Sequence, residues 1–294
     1  MPATDAELLS AARGGDKVAL EQLLERHQAQ VYRFGMKMCR DPEDAADVLQ
    51  DTLLAMARGV RDFRGASSLS TWLYSVARSF CIKKRRRSKF APEQPSLDMT
   101  VLPEAAQLAD PGRSPDEELA KKQVEQALEQ ALSALDPMYR EVLILRDIES
   151  LTAPEVAEVL GITVQAVKSR LHRARVSLRD SIAPVLGVPS DAPAAPGTCP
   201  DVLTLFSQHL EDEISADLCR EMERHIEGCP RCRGVCDSLK RTLALCRTSG
   251  ASAEVPPPVR SAVNIGMRAA RSRAAVLHRS NVRIHASNLS MIFS

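Results

Sequence analysis

The sequence predicts a mainly α-helical, multidomain protein, and three observations carry that expectation. Aromatic residues are only 3% of the 294 residues, with one tryptophan, whereas strands favour aromatic and β-branched side chains. Apolar residues recur at helical spacing through residues 5–89 and again through 117–183. Two stretches, 90–116 and 184–197, lack any period and collect proline, as linkers do. No internal repeat is present. The balance of 39 Lys+Arg against 38 Asp+Glu gives a net charge of +1 that hides local asymmetry. No apolar run approaches the length of a membrane span, and Met1 to Lys17 lacks a basic-then-apolar export pattern. The chain is expected in the cytoplasm, with no membrane partner.

The first helical zone contains a clear helix start at Asp41-Pro42-Glu43-Asp44. Asp41 caps, Pro42 suits the first helical position, and acids favour the positive end of the helix dipole. Ala45, Val48, Leu49, Thr52, Leu53 and Met56 follow as one buried stripe. Asp44, Asp47, Gln50 and Asp51 fall largely outside it. They form an acidic strip that reads either as a solvated face or as a docking surface for a basic partner. Next comes FRGASSLSTWLYSVARSFCIKKRRRSK. Trp72, Val76 and Phe80 share a face. Arg78, Lys83, Lys84, Arg85, Arg86, Arg87 and Lys89 follow with no acid among them. Cations hold phosphates, and aromatic rings wedge or stack on unpaired bases, so the segment reads as a nucleic-acid surface or as a solubilising charge run.

After the 90–116 linker, the window TAPEVAEVLGITVQAVKSRLHRARVSL has helix-turn-helix grammar. Ala153 to Leu160 is a short helix with Val156, Ala157 and Leu160 inward. Gly161 supplies the turn and Thr163 caps the next helix. Val167, Leu171, Ala174 and Leu178 make its buried stripe. The second helix is basic and sits where a major groove could receive it; the competing reading is a plain helical hairpin with a charged face. Thr163, Val164, Gln165, Lys168 and Ser169 are expected near base edges, and Arg170, Arg173 and Arg175 on phosphates.

In that order and spacing, DPEDAADVLQDTLLAM, FRGASSLSTWLYSVAR with its basic continuation, and LTAPEVAEVLGITVQAVKSRLHRAR resemble bacterial RNA polymerase sigma factors of the extracytoplasmic-function (ECF) group over residues 5–183. The resemblance implies two small helical sigma domains: region 2 at 5–89 and region 4 at 117–183. It implies that Asp44, Asp47, Gln50 and Asp51 bind the polymerase β′ subunit. It implies that the segment from Arg64 through Trp72, Tyr74, Arg78, Ser79 and Lys83–Arg86 opens the −10 element of promoter DNA. The helix-turn-helix would then read the −35 element, with the linker in the polymerase channel. Ser79 stands where the family often has Asn, and Cys81-Ile82-Lys83 stand where an acid is common, so no −10 sequence is inferred. No catalytic constellation is present, and an enzyme is not expected.

Six of the eight cysteines fall at Cys199, Cys219, Cys229, Cys232, Cys236 and Cys246. In a reducing compartment such a cluster reads as metal or redox chemistry before disulfides. His225, Cys229 and Cys232 give an H-x3-C-x2-C spacing, and Cys199 can supply a fourth ligand. Three sulfurs and one imidazole suit Zn²⁺, and also Cd²⁺ or Cu⁺; a purely structural zinc that folds a small module and idle buried thiols are the competing readings. The stretch 198–247 resembles the zinc-binding anti-sigma domain, and a sigma factor carrying it in cis is similar to the metal-responsive CorE-like group. That resemblance implies regulation by a metal ion, with zinc as the cofactor and copper or cadmium as regulatory ions. Cys219, Cys236 and Cys246 exceed a four-ligand site; sensing ligands, redox partners and core thiols all remain open for them.

Between Thr198 and Glu223, seven acids face Arg220 alone, a local charge of about −6. This segment is expected to dock on the basic faces around Lys83–Lys89 or Lys168–Arg179, in competition with DNA. The tail, 248–294, is basic and poor in apolar residues, and is expected to be disordered. Competing readings are an independent helix-turn-helix regulator and a metal-binding protein with a vestigial sigma region. A separate anti-sigma partner is compatible with the sequence.

Overall fold

The computed structural model describes residues 3–39, 41–63, 65, 67–90, 115–187, 199–251 and 255–261. Every regular element among them is helical. The chain divides into two compact units, Met1–Lys84 with Glu254–Ser294, and Arg85–Ala253.

The first unit is built on α1 (Asp5–Arg13), α2 (Lys17–Cys39), α3 (Pro42–Gly59) and α4 (Leu69–Phe90). Thr4 and Glu7 cap α1 reciprocally, which satisfies two otherwise orphaned backbone donors. Asp5 then ties α1 to α2 through Arg26 and the buried His27, whose Nε2 lies 2.9 Å from the Asp5 carboxylate. Asp41 accepts from the backbone of Glu43 and Asp44 at 2.7 and 3.1 Å, with Pro42 in the first turn. The expected stripe on α3, from Ala45 to Met56, is buried in full. Its packing on α2 is close because position 35 is glycine: a Cβ there would meet the Ala45 backbone at 3.3 Å. Val31, Phe34, Leu53, Leu73 and Ala77 complete this core. From the tail, residues 255–261 are described, with Val255 buried and a helical turn over 257–261; the rest of the basic tail lies outside the described residues.

The second unit contains α5 (Pro115–Ala134), α6 (Pro137–Leu143) continuing into a π-helical turn (Ile144–Ile148), α7 (Ala153–Leu160) and α8 (Val164–Ile182). Arg140 is buried and donates to the carbonyls of Leu132, Ser133 and Leu135 at 2.9, 2.6 and 2.8 Å. It thereby satisfies the open C-terminal end of α5, the region most exposed to unpaired carbonyls. Thr152 and Glu155 form a capping box on α7. Gly161 follows at φ +66, a left-handed turn that glycine adopts without steric cost. Thr163 then caps α8. The α8 stripe Val167, Leu171, Ala174 and Leu178 is fully buried.

The same unit continues with α9 (Val202–His209), α10 (Ala216–Gly228) and α11 (Pro230–Ala251). Helix α11 runs past residue 247, where the sequence suggested the module would end. Val202, Phe206, Met222, Leu239 and Leu243 pack with Cys229, Cys232 and Cys236 into a small core. A core this size buries little apolar surface, so cross-links matter to it. The linkers at 90–116 and 184–197 lie mostly outside the described residues.

Candidate polymerase, promoter and metal surfaces

On α3, the buried stripe leaves Asp47 and Asp51 exposed and Asp44 and Gln50 half-buried. Lys84 of α4 reaches this strip, with its ammonium 3.0 Å from Asp44 and in contact with Asp47. Burial pulls the Lys84 pKa down, but Asp47 and Asp44 outweigh it and hold the ammonium above its ordinary value. Lys84 was expected to face DNA; here it sits on the acidic strip.

Trp72 is half-buried, tilted against Phe63 at 5.7 Å between ring centroids. Arg78 is also half-buried, while Ser79, Lys83, Arg85 and Arg86 are exposed. Tyr74 requires correction. It is 1% exposed and meets Phe34 edge-on at 5.3 Å. It belongs to the core because it falls one residue from Leu73 on the inward side of α4, not on Trp72's face. Arg64 lies outside the described residues.

Helix α8 presents Gln165, Ser169 and Arg173 to solvent, with Thr163 exposed at its cap and Val164 and Arg170 half-buried. Arg175 is a second correction. Expected on phosphate, it is 2% exposed. Its Nε and Nη2 donate to Asp147 at 2.9 and 2.7 Å, Nη2 also to Glu211 at 2.8 Å, and Nη1 to Ser207 at 3.3 Å. Burial lowers the Arg175 pKa, yet Asp147 and Glu211 more than restore it. A buried guanidinium is tolerated when such partners surround it.

Glu211, itself 4% exposed at its side chain, also accepts from Arg146 at 3.1 Å. Glu213 pairs with Lys168 at 2.8 Å. Thr204 lies 3.3 Å from His172, and Arg179 donates to Ser238 at 3.3 Å. The acidic segment after α9 therefore docks on the α8 side of the helix-turn-helix, one of the two basic faces expected for it. Asp147 and Arg146, on the π-helical turn, are participants that periodicity could not reveal; their charge within an otherwise apolar run, EVLILRDIESL, was the available signal.

Cys199, His225, Cys229 and Cys232 bring their ligand atoms within 4.8 Å of one another. Cys199 Sγ is 3.9 Å from Cys229 Sγ, and His225 Nε2 is 3.3 Å from Cys232 Sγ. Zn–S and Zn–N bond lengths imply tetrahedral edges of about 3.8 Å between sulfurs and about 3.5 Å between sulfur and nitrogen. The four residues fit a tetrahedral ion. Burial, then hydrogen bonds to Cys199 and Cys229, push the Cys232 thiol up to about 12: gathered thiols resist ionising together until a cation joins them. The remaining module thiols separate. Cys236 and Cys246 are fully buried. Cys219 is partly exposed, 3.6 Å from His209 Nδ1 and 3.8 Å from Glu223 Oε1. Slight burial and the Glu223 carboxylate hold the Cys219 thiol above its ordinary value.

Residues 23–90 match the family model for sigma-70 region 2, residues 125–178 that for sigma-70 region 4, and residues 199–233 that for a putative zinc-finger. The ECF RNA polymerase sigma factor SigM of Mycobacterium tuberculosis is 35% identical over 177 residues, 60% of this chain and 83% of that one. The RNA polymerase sigma-H factor of Pseudomonas aeruginosa is 27% identical over 188 residues, 62% of this chain and 95% of that one. Among solved structures, CnrH in complex with the cytosolic domain of CnrY matches at 28% identity and a TM-score of 0.42, covering 60% of this chain and 95% of that one. No helix among the described residues is long and apolar enough to cross a membrane. With both sigma-70 regions in order and a relative of this likeness over most of its length, the chain belongs to the ECF family of RNA polymerase sigma factors, extended at its C-terminus by a Cys/His module.

Proposed function

We propose that this sigma factor directs core polymerase to promoters and that its own C-terminal module restrains it, with a metal ion setting the restraint. The acidic strip at Asp44, Asp47, Gln50 and Asp51 binds core polymerase. Trp72, Arg78, Ser79 and the cations Lys83, Arg85 and Arg86 engage the −10 region. The exposed edge of α8 at Gln165, Ser169 and Arg173 reads the −35 region. Of these, the base-facing residues supply specificity and the cations supply most of the affinity.

The observation that carries the restraint is Glu211, a module carboxylate held between Arg175 and Arg146 of region 4. Together with Lys168–Glu213, it makes region 4 and the module one packed unit. Cys199 stands just before α9, whereas His225 belongs to α10, Cys229 caps its end and Cys232 lies at the start of α11. An ion on these four residues supplies a tetrahedral cross-link between those parts of the module. Cys199 thereby fixes where α9 starts, and α9 leads directly into Glu211. Losing that tether frees α9 and weakens the dock. A docked Lys168 is unavailable to DNA; Arg175 is not a promoter contact in either state, because Asp147 of its own domain holds it.

The test is binding of the full chain to core polymerase and to promoter DNA in the resulting holoenzyme, with zinc present and after chelation. Chelation is expected to strengthen one or both, and Glu211→Gln with Glu213→Gln is expected to mimic it with zinc present. Binding that is indifferent to chelation and to both substitutions refutes the restraint while leaving the sigma assignment intact.

A further inference from the structure

We propose that Cys39 and Cys81 form a redox-modification site inside region 2, where a peroxide oxidises the two thiols to a disulfide. Cys39 is the last residue of α2, and Cys81 lies within α4. Their sulfurs are 3.1 Å apart, with the Cys39 thiol donating to Cys81 Sγ, and both are free thiols. A disulfide bond is about 2.05 Å long, so the sulfurs have about 1 Å left to travel. Small changes of side-chain torsion at a half-buried helix end absorb a shift of that size. Both residues fall within the compact unit that holds Met1–Lys84, apart in sequence from the six cysteines of the C-terminal module.

Packing explains one of these thiols and not the other. Cys81 is 4% exposed and continues the inward stripe of Tyr74 and Ala77 on α4, as a small apolar side chain does. Cys39 is only half-buried. A partly exposed thiol with a buried thiol in contact behind it is the arrangement of an attacking cysteine and its resolving partner. With hydrogen peroxide as oxidant the chemistry balances. Cys39, as thiolate, attacks one peroxide oxygen; the O–O bond breaks, the Cys39 sulfenic acid forms, and the released hydroxide takes up the thiol proton as water. Cys81 Sγ then attacks the sulfenic sulfur; the S–S bond forms, the S–O bond breaks, and the second hydroxide leaves as water with the Cys81 proton. The two sulfurs together lose two electrons, and the peroxide is reduced to two waters.

The bond closes a loop around the working parts of region 2. The two residues are 42 positions apart, and between them lie α3 with its acidic strip and the first turns of α4 with Trp72. Cys81 precedes Lys84 by three residues, within one turn of α4, and Lys84 holds Asp44 and Asp47. The disulfide pins that turn of α4 to the end of α2, just before the Asp41 cap of α3. A cross-link restricts how far the joined elements can separate, so the oxidised chain keeps Lys84 over the strip. In a reducing compartment the thiols re-form, which makes the modification reversible. The effect on core-polymerase binding rests on the role proposed above for the strip; the disulfide itself does not.

The test uses the full chain with zinc present, treated with hydrogen peroxide, alkylated, and digested with trypsin without reduction. Mass spectrometry is expected to find residues 38–40 joined to residues 79–83, lighter by two hydrogens than the separate fragments and parted by dithiothreitol. Cys39→Ser should abolish the joined fragment and keep the far-UV circular dichroism of the wild type; Cys81→Ala, which suits a buried position, is the second variant and should do the same. The oxidised wild-type chain should bind core polymerase about 2–5-fold more weakly than the reduced one, the scale of a partly exposed ion pair, and Cys39→Ser should bind equally under both conditions. Cys39 or Cys81 joined to a module cysteine instead, carried to sulfinic acid without a joined fragment, or left unmodified overturns the site. A joined fragment with unchanged polymerase binding supports the site and counts against its coupling to the strip.

Discussion

Replacing Glu211 by Gln keeps the shape of the side chain and removes its charge from a nearly dry position. Glu211 accepts from Arg175 at 2.8 Å and from Arg146 at 3.1 Å, and its side chain is 4% exposed. A glutamine retains one acceptor oxygen, so one of the two bonds survives in neutral form. Arg175 keeps both bonds to Asp147, so it is not stranded, and the full cost of a broken buried pair does not apply. That cost is about 3–5 kcal/mol when a partner is left unpaired; with Asp147 in place, about 1–3 kcal/mol is expected, a factor of about 5–150 in the docking equilibrium. Hydrogen exchange read by mass spectrometry reports this directly. Amides of α9 should exchange faster by that factor, while those of α7, packed within region 4, should not change. Equal acceleration in α7 and α9 would mean that Glu211 serves global stability, and no acceleration in α9 would mean that the carboxylate does not hold the dock. A charge-swapped pair, Lys168→Glu with Glu213→Lys, should restore protection lost in either single variant.

Three further outcomes follow from the same kind of reasoning. Thr52 is fully buried on α3 with a hydroxyl that has no hydrogen-bond partner, so Thr52→Val should raise the urea midpoint by about 1 kcal/mol of stability; a lower midpoint would mean that the hydroxyl is satisfied. Lys84→Ala uncovers Asp44 and Asp47 and should tighten core-polymerase binding by about 2–5-fold, the scale of a partly exposed ion pair, whereas weaker binding would show that Lys84 itself contacts polymerase. Burial raises the Asp5 pKa, but Arg26 and His27 outweigh this and hold it below 3.8. A depressed carboxylate contributes stability above its unfolded value and loses it as pH falls through the folded value. The first unit should therefore lose part of its stability below about pH 3.8, and Asp5→Asn should flatten that part of the acid-unfolding curve.

What could be read from the sequence was whatever repeats at helical spacing or sits beside a cap. The α3 stripe, the Asp41 cap, the Gly161 turn and the α8 stripe all follow from local rules, and all are observed. The H-x3-C-x2-C spacing located a ligand set because a helix end places those residues together. Local rules failed where a side chain's surroundings come from distant elements. Tyr74 adjoins Trp72 in sequence, but Phe34 of α2 claims its ring. Arg175 looks like any cation of a basic helix; only the fold brings Asp147 and Glu211 to it.

The division of α8 among three faces would let the proposed restraint and the proposed promoter reading coexist on one helix. Val167, Leu171, Ala174 and Leu178 face the core of region 4. Lys168, His172, Arg175 and Arg179 follow each other at intervals of four, three and four, and each meets the module: Glu213, Thr204, Glu211 and Ser238. Gln165, Ser169 and Arg173 repeat at four and remain exposed. These are adjacent edges of one cylinder. A module that gripped the exposed edge would have to match the chemistry that reads bases, and any change in promoter preference would disturb regulation. Gripping the neighbouring edge separates the two. If, as proposed, Glu211 and Glu213 set the strength of the dock while Gln165 and Ser169 read bases and Arg173 holds phosphate, substitutions in one set should leave the other's function largely additive. Lys168 is the exception: it borders both edges and pairs with Glu213, so on the proposed reading changes there should register in both assays.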